Sequence, residues 1–195
     1  MTTLSCMSLR AGLVFAVLTL GLLAQALVPA AAANWRIDPA RTHIAFAIDA
    51  VGYPRTHGQF RQFAGRISVD FEHPDKSRVS FHVESESVDV GSASFDDYLR
   101  SDAFLNSTRF PSIDFVSSSV AKVDDHTVRV IGELTLLGVT RPLSVDVAVE
   151  REGGGGRLAL LAKTNIDRLA FGMNSGFPLV SRDVGLVISS AAVEL

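Results

Sequence analysis

Apolar and polar residues alternate strictly in many short runs between about Ile44 and Val193. The clearest runs are Ile44, Phe46 and Ile48; Ile67, Val69 and Phe71; Val79, Phe81 and Val83; and Leu143, Val145, Val147 and Val149. Because residues two apart lie on the same face of a strand, each run predicts a β-strand with one apolar and one polar face. Such strands have to close into a barrel or stack as a sandwich to cover the apolar side.

Turn-forming residues divide this region into segments of similar length, which predicts an all-β domain. The predicted strands lie near residues 35–38, 43–50, 58–72, 77–90, 112–122, 127–137, 142–151, 157–166 and 184–194. The predicted turns are Gly52-Tyr53-Pro54, His73-Pro74-Asp75, Asp124-Asp125, Gly138 to Pro142, and Gly153 to Gly156. Glycine supplies positive φ and proline fixes φ, so both residues favour chain reversal.

Two stretches interrupt the alternation. Residues 94–105 begin with Ser94 followed by acidic residues, which predicts a short helix capped by that serine. Residues 167–178 are too rich in glycine for a strand and predict a loop with a short helical turn. Long irregular insertions in a β domain often carry function, but they also serve to cover the ends of a sheet. The sequence leaves both interpretations open.

The first 33 residues have the features of a secretory signal peptide. Arg10 precedes an apolar stretch from Ala11 to Val28, and small residues follow up to Ala33. We therefore expect cleavage after Ala33, export to the periplasm or secretion, and a single domain over residues 34–195. An uncleaved membrane anchor is the alternative. Beyond this leader no apolar run is long enough to predict a membrane-spanning helix.

Composition removes several classes of function. The only cysteine, Cys6, lies in the leader, so the domain has no thiol nucleophile and no thiolate metal site. Arg10 is the one charged residue of the leader, so the domain carries 21 acidic and 17 basic side chains, a net charge of −4. This balance gives no electrostatic reason to bind nucleic acid.

Motifs for catalysis or for cofactor binding are absent from the sequence. The five histidines, at positions 43, 57, 73, 82 and 126, form no pair with the spacing of metal ligands. The sequence also lacks a Gly-x-Ser-x-Gly nucleophile motif and a glycine-rich nucleotide loop. These absences argue against an enzyme and against a metal or cofactor, without excluding catalysis.

Phenylalanine is abundant, with 11 of the 12 phenylalanines outside the leader. The interior of an eight-stranded barrel is wide enough either to be filled by side chains or to hold one ligand. The alternation alone therefore allows both a hollow barrel and a solid one.

Four blocks of sequence, in order along residues 35–195, carry a family resemblance. They are Trp35 to Ala40 with Gly58-Gln59-Phe60; Val88 to Gly91 with Asp97 to Phe104 and Phe110 to Phe115; Gly132 to Pro142; and Ile166 to Met173 with Val184 to Ile188. In these blocks the chain resembles the YceI-like, or polyisoprenoid-binding, proteins, which are exported lipocalin-like barrels.

The resemblance implies an extended antiparallel eight-stranded lipocalin-like barrel with one or two short helices. It also implies binding of a long isoprenoid lipid, such as a polyprenyl phosphate or a quinone-like molecule, in an apolar channel. The candidate lining residues are Phe46, Ile48, Phe60, Phe63, Phe81 and Phe115. The candidate residues for a lipid head group are Tyr98, Arg100, Arg168 and Asn174.

The chain departs from the family pattern at Arg41 and Tyr98, where members often have histidine. Arg41, Arg100 or Arg168 could instead bind an anionic phosphate, because guanidinium groups bind phosphate in a bidentate manner. A surface salt bridge is the alternative role for each arginine.

The main alternative to lipid binding is an exported stress or interaction protein with a solid barrel, in which residues 94–110 and 167–178 bind a partner. An enzyme acting on a small hydrophobic substrate is a third hypothesis. Homodimerisation through a strand edge is compatible with each of them.

Overall fold

The computed structural model describes residues 33–70, 72–153 and 156–195. The strands are β1 (Ala33–Ala50), β2 (Tyr53–Phe60), β3 (Phe63–Val69), β4 (Arg78–Glu84), β5 (Val88–Asp89), β6 (Ser112–Lys122), β7 (Thr127–Leu136), β8 (Val139–Glu152), β9 (Arg157–Asp167) and β10 (Val180–Glu194). The helix α1 spans Ala93–Arg100, and short 3-10 turns span Pro74–Lys76, Ser85–Ser87 and Arg168–Phe171. Apart from Ala33, the predicted signal peptide lies outside the described residues.

Eight of these strands form a closed antiparallel barrel, as predicted. The order around the barrel is β1, β3, β4, β6, β7, β8, β9 and β10, and β10 pairs with β1 to close the ring. β1 and β10 stay paired from Trp35 opposite Glu194 to Ala50 opposite Val180, with an irregularity between Asp38 and His43. The two predicted strands at 35–38 and 43–50 are therefore one long strand.

The remaining strands, β2 and β5, continue β3 and β4 beyond a break in each. The start of β1 pairs with β3, whereas its second half pairs with β2. The break after β4 is held by Ser85, whose N–H donates to the Pro111 carbonyl (2.8 Å) and whose hydroxyl donates to the Phe110 carbonyl (2.7 Å). The predicted single strand at 77–90 is divided because these hydrogen bonds draw the chain out of the sheet. The predicted strand at 58–72 is divided at residues 61–62, where the Arg61 N–H donates to the Ser87 carbonyl (3.1 Å).

The turn between β7 and β8 is tighter than predicted. Leu137 and Gly138 have φ values of 53° and 72°, as in a two-residue hairpin turn of type I′, so β8 begins at Val139. Pro142 consequently lies inside β8, where a proline removes a hydrogen-bond donor. It is accommodated because β9 pairs only with Val147 to Glu152, leaving this part of β8 paired on one side.

Both irregular stretches lie at the same end of the barrel, which we call the upper end, together with the turns at residues 51–52 and 137–138. The helix begins two residues earlier than predicted, with Ser92 and not Ser94 as its N-cap residue, because the N–H groups of Phe95 and Asp96 donate to the Ser92 carbonyl (2.9 and 2.8 Å). The 3-10 turn at Arg168–Phe171 lies against β8, and Arg141 Nε donates to the Ala170 carbonyl (3.2 Å). This turn thereby closes the wall where β8 and β9 separate.

Buried apolar side chains form two clusters. The upper cluster consists of Val88, Leu105, Leu134, Leu136, Ile166 and Phe171. The lower cluster consists of Trp35, Ile37, Ile67, Leu158 and Ala192. Ile44, Val83, Val120 and Val130 are also buried outside these clusters. Many other inward-facing side chains, such as Phe46 and Leu143, remain only partly buried, so the buried side chains do not fill the interior.

On the outer surface, a charged pair joins β4 to β6. His82 Nδ1 lies 2.6 Å from Asp114 Oδ1, and His82 Nε2 lies 3.3 Å from Glu84 Oε1. The hydrogen bond to Asp114 raises the pKa of His82 above its usual range. All three side chains are close to half exposed, so solvent screens the pair and its contribution to stability is about 1 kcal/mol or less.

We expect this pair to make unfolding slightly pH dependent. Because the folded-state pKa of His82 is raised, its stabilisation is complete below the unfolded pKa of about 6.5 and is lost as the pH rises through the folded pKa. In urea titrations, the free-energy difference between wild type and His82→Gln should therefore be larger at about pH 6 than at about pH 8.5. A difference that grows towards high pH would contradict this assignment.

Candidate functional site

A single large cavity runs along the inside of the barrel. Its volume is about 1540 Å³, and side chains from all ten strands line it. Pockets that bind small molecules usually measure about 300–1,000 Å³, so this space suits a ligand larger than a typical metabolite. The lining includes Leu179 at the upper end and His126 at the opposite, lower end, so the cavity extends along the whole barrel.

The apolar residues of the alternating runs form the cavity wall. In β8 the inward-facing Leu143, Val145, Val147 and Val149 line the cavity, whereas the residues between them are exposed on the outer surface. The inward-facing residues are half-buried because they face open space and not an opposing layer of side chains. The barrel is therefore lined by its apolar side chains and not filled by them.

Five of the six predicted lining residues face this cavity: Phe46, Ile48, Phe60, Phe81 and Phe115. The Phe46 and Phe60 rings pack at a centroid distance of 5.7 Å. Gly58 lies opposite Phe46 across the strand pair, and a Cβ atom there would collide with the Phe46 ring. The sixth residue, Phe63, packs against the lower cluster, so we correct its assignment from cavity lining to core.

The aliphatic part of the lining is mostly missing from the candidate residues predicted from the sequence. Most of the wall formed by β7, β8 and β9 consists of leucine, valine and alanine, including Leu134, Leu160 and Ala162. Their signal was the alternation itself, which marks inward positions regardless of side-chain type. Selecting candidates by aromatic content gave that signal too little weight.

Two of the predicted head-group residues, Tyr98 and Arg168, line the cavity, and Tyr98 stands at its upper mouth with its ring half exposed. It stacks on Phe95 (6.3 Å between centroids) and meets Phe104 edge to face (5.1 Å). Asp96, which is buried, accepts a hydrogen bond from the Val90 N–H (2.7 Å). This bond fixes the helix against the end of β5 and places its aromatic side chains at the mouth.

The other predicted head-group residues are engaged elsewhere. Arg100 donates to the carbonyls of Glu86 (2.7 Å) and Val88 (2.9 Å) and pairs with Asp97 (3.0 Å), outside the cavity lining. Asn174 is exposed on the loop that follows β9, also outside the lining. Arg41 forms an ion pair with Glu152 (3.0 Å), in agreement with the alternative of a surface salt bridge.

Arg168 is the least expected of these residues because only 1% of it is exposed. Its guanidinium donates to the carbonyls of Ser181 (2.7 Å), Ser175 (2.9 Å) and Val180 (3.0 Å), and also to that of Met173. Burial lowers the pKa of Arg168, although an arginine stays protonated at neutral pH. These four hydrogen bonds make the guanidinium a structural anchor for residues 173–181, and its head-group role stays a prediction.

The two ends of the cavity differ in polarity. Val51, Tyr53, Tyr98 and Leu179 surround the upper mouth. The lower end is bordered by polar and charged side chains, namely Asp70, Ser77, Lys122, Asp124, Asp125, His126 and Arg151. Lys122 pairs with Asp125 (2.6 Å) and lowers the pKa of that carboxyl. Arg55 and His57 also line the cavity on the side of the upper mouth, but the upper mouth is the more apolar of the two ends.

The sequence of this chain is similar to those of known bacterial proteins. Protein YceI of Shigella flexneri is 33% identical over 171 residues, covering 85% of this chain and 89% of that protein. Protein YceI of Salmonella arizonae gives the same values. In the part of the chain that the structure describes, no helix is both long and apolar enough to cross a membrane.

Solved structures show the same fold at low sequence identity. Burkholderia cenocepacia BcnA superposes with a TM-score of 0.75 at 22% identity, covering 80% of this chain and 99% of that one. A polyisoprenoid binding domain from Saccharophagus degradans superposes with a TM-score of 0.69 at 15% identity, covering 83% and 98%. Residues 35–192 match the YceI-like domain, and together with the curated relatives this match shows that the chain belongs to the YceI-like family.

Proposed function

We propose that this protein binds one long isoprenoid lipid inside the barrel. The observation that carries the proposal is the apolar cavity of about 1540 Å³ that extends from one end of the barrel to the other. Burial of each methylene group contributes about 0.8 kcal/mol, so a long hydrocarbon chain needs few polar contacts to bind tightly. The similarity in fold to a polyisoprenoid binding domain supports the isoprenoid class of ligand.

The side chains near the upper mouth favour a lipid whose head group is flat and weakly charged. Arg168 and Arg100 are engaged by backbone carbonyls, which reduces their value as phosphate ligands. The rings of Phe95, Tyr98 and Phe104 instead offer an aromatic surface beside the opening. Aromatic rings stack favourably on other planar rings. We therefore propose a ligand with a quinone-like head group in preference to a polyprenyl phosphate.

We further propose that the protein works in the periplasm or is secreted, after removal of residues 1–33. The basic residue, apolar stretch and small residues at the start of the chain support this location. In such a compartment the protein would hold or carry an isoprenoid molecule that is insoluble in water.

The test is to identify what the protein carries. Protein produced with its natural leader is purified without detergent, extracted with organic solvent, and the extract is analysed by mass spectrometry. We expect compounds with isoprenoid chains, in about equal molar amount to the protein. The proposal fails if the extract of folded protein contains no such lipid and if added quinones and polyprenyl phosphates also fail to bind.

A further inference from the structure

Exposed apolar side chains are concentrated at the upper mouth of the cavity. Six of the 12 large apolar residues that are exposed among the described residues lie there. We call them the mouth patch: Val51, Tyr53, Phe95, Tyr98, Phe177 and Leu179. Tyr53, Val51 and Leu179 are the most exposed of the six, at 77%, 69% and 63%. The barrel thus presents apolar groups to solvent around the opening of its own cavity.

Members of the mouth patch are connected within two groups, one on the turn after β1 and the loop before β10, and one on the helix. The Val51 N–H donates to the Leu179 carbonyl (2.8 Å), which connects the turn after β1 to the loop before β10. Phe95 and Tyr98 stack on each other on the helix. All members except Phe177 also line the cavity, so the patch surrounds the opening and continues into the apolar interior. Contiguous apolar surface of this kind marks sites of protein or membrane interaction.

Charged groups next to the patch are paired with each other. Arg55 lies 3.5 Å from Asp49, and Arg100 lies 3.0 Å from Asp97. The lower end of the cavity is bordered by more charged side chains, including Asp70, Asp124 and Arg151 besides the Lys122–Asp125 pair. Seating the upper end on an apolar medium therefore removes fewer charges from water than seating the lower end would.

We propose that the mouth patch docks on the surface of a lipid bilayer, where the barrel takes up or releases its ligand. This inference rests on the proposed function, because a bilayer is the reservoir of long-chain lipids. A hydrocarbon chain that crosses water exposes every methylene group, whereas a mouth seated on the bilayer allows direct transfer. Tyrosine and phenylalanine suit this position because aromatic side chains favour the membrane–water interface.

Docking of this kind depends on apolar contact and not on lipid charge. We therefore expect the exported protein, with its N-terminus established by intact mass, to co-sediment with vesicles of pure phosphatidylcholine. Raising the salt concentration to about 1 M, where the Debye length falls to about 3 Å, should change the vesicle-bound fraction by less than about twofold.

The test compares two triple variants. The mouth variant is Val51→Ser, Tyr53→Ser and Leu179→Ser, and the control is Val116→Ser, Ile131→Ser and Leu161→Ser, which removes exposed apolar residues from the outer wall. We expect at least a tenfold loss of vesicle partitioning for the mouth variant and less than a twofold change for the control, with both melting cooperatively. Phe177 belongs to the patch but does not line the cavity, so Phe177→Ser should by itself reduce partitioning into vesicles. This variant provides the test if the triple mouth variant does not fold.

The outcomes separate docking from ligand binding. The inference is overturned if the mouth variant and the control variant bind vesicles equally well. It is also overturned if the wild-type protein does not bind vesicles and stays in the supernatant. A third outcome is that the wild-type protein does not bind vesicles but self-associates in analytical ultracentrifugation, and that the mouth variant does not self-associate. The patch would then join two copies of the chain, and the inference would also be overturned. If only the docking inference fails, lipid is still extracted from the purified protein although the protein does not bind vesicles. If only the proposed function fails, the protein binds vesicles but no lipid is extracted from it.

Discussion

Replacing Arg168 by methionine should lower the free energy of unfolding by about 3–5 kcal/mol. The methionine keeps much of the apolar stem but removes the guanidinium, so the carbonyls of Met173, Ser175, Val180 and Ser181 lose their donor together. Each buried carbonyl without a partner costs about 1–3 kcal/mol unless water reaches it. Urea titrations of wild type and variant measure the difference directly.

A surface arginine provides the matched control. Arg182 pairs with Asp167 (2.7 Å), but 61% of its side chain is exposed, so Arg182→Met should cost far less stability than Arg168→Met. Arg168→Lys retains the charge without the planar fork of donors, and it should lie between wild type and Arg168→Met. If Arg168→Met unfolds at the same urea concentration as Arg182→Met, the guanidinium does not anchor the loop.

Filling the cavity should remove the lipid without unfolding the barrel. Ala162 lies on the inner face of β9 between Val147 of β8 and Ile188 of β10, and all three residues line the cavity. A tryptophan at this position would occupy space needed by the ligand. Displacement of two or three methylene groups costs about 2 kcal/mol, so Ala162→Trp should retain less than about one tenth of the lipid in the wild-type extract.

The control for this substitution is Ala148→Trp, which adds the same side chain to the outer face of the neighbouring strand. It should carry as much lipid as wild type. Ala162→Trp should keep cooperative unfolding, because the new ring enters open space and does not overpack a filled core. Equal lipid in the two variants would mean that the ligand lies elsewhere, and loss of folding in Ala162→Trp alone would mean that the interior is solid.

The strands and their inward faces could be predicted from the sequence because side-chain direction along a strand has a period of two. The alternation therefore identified the inward face of β8 and five of the six proposed lining residues. It could not show whether inward-facing residues meet each other or open space, since both arrangements give the same pattern. Phe63 has the inward spacing but packs in the lower cluster.

The irregular parts of the chain were harder to predict because distant hydrogen bonds control them. The break after β4 depends on a hydrogen bond from Ser85 to the Phe110 carbonyl, 25 residues away. Arg168 was interpreted as a candidate phosphate ligand because guanidinium groups bind phosphate in a bidentate manner. Its burial against four carbonyls of residues 173–181 could be seen only in three dimensions.

The central claim is that the barrel is hollow and holds one long apolar chain. Native mass spectrometry of protein purified without detergent tests it most directly, because the method weighs the folded protein together with any molecule it retains. We predict a complex of one chain with one lipid, which Ala148→Trp retains and Ala162→Trp loses. A wild-type protein that keeps the mass of the bare polypeptide, even after incubation with excess quinone or polyprenyl phosphate, would contradict the claim.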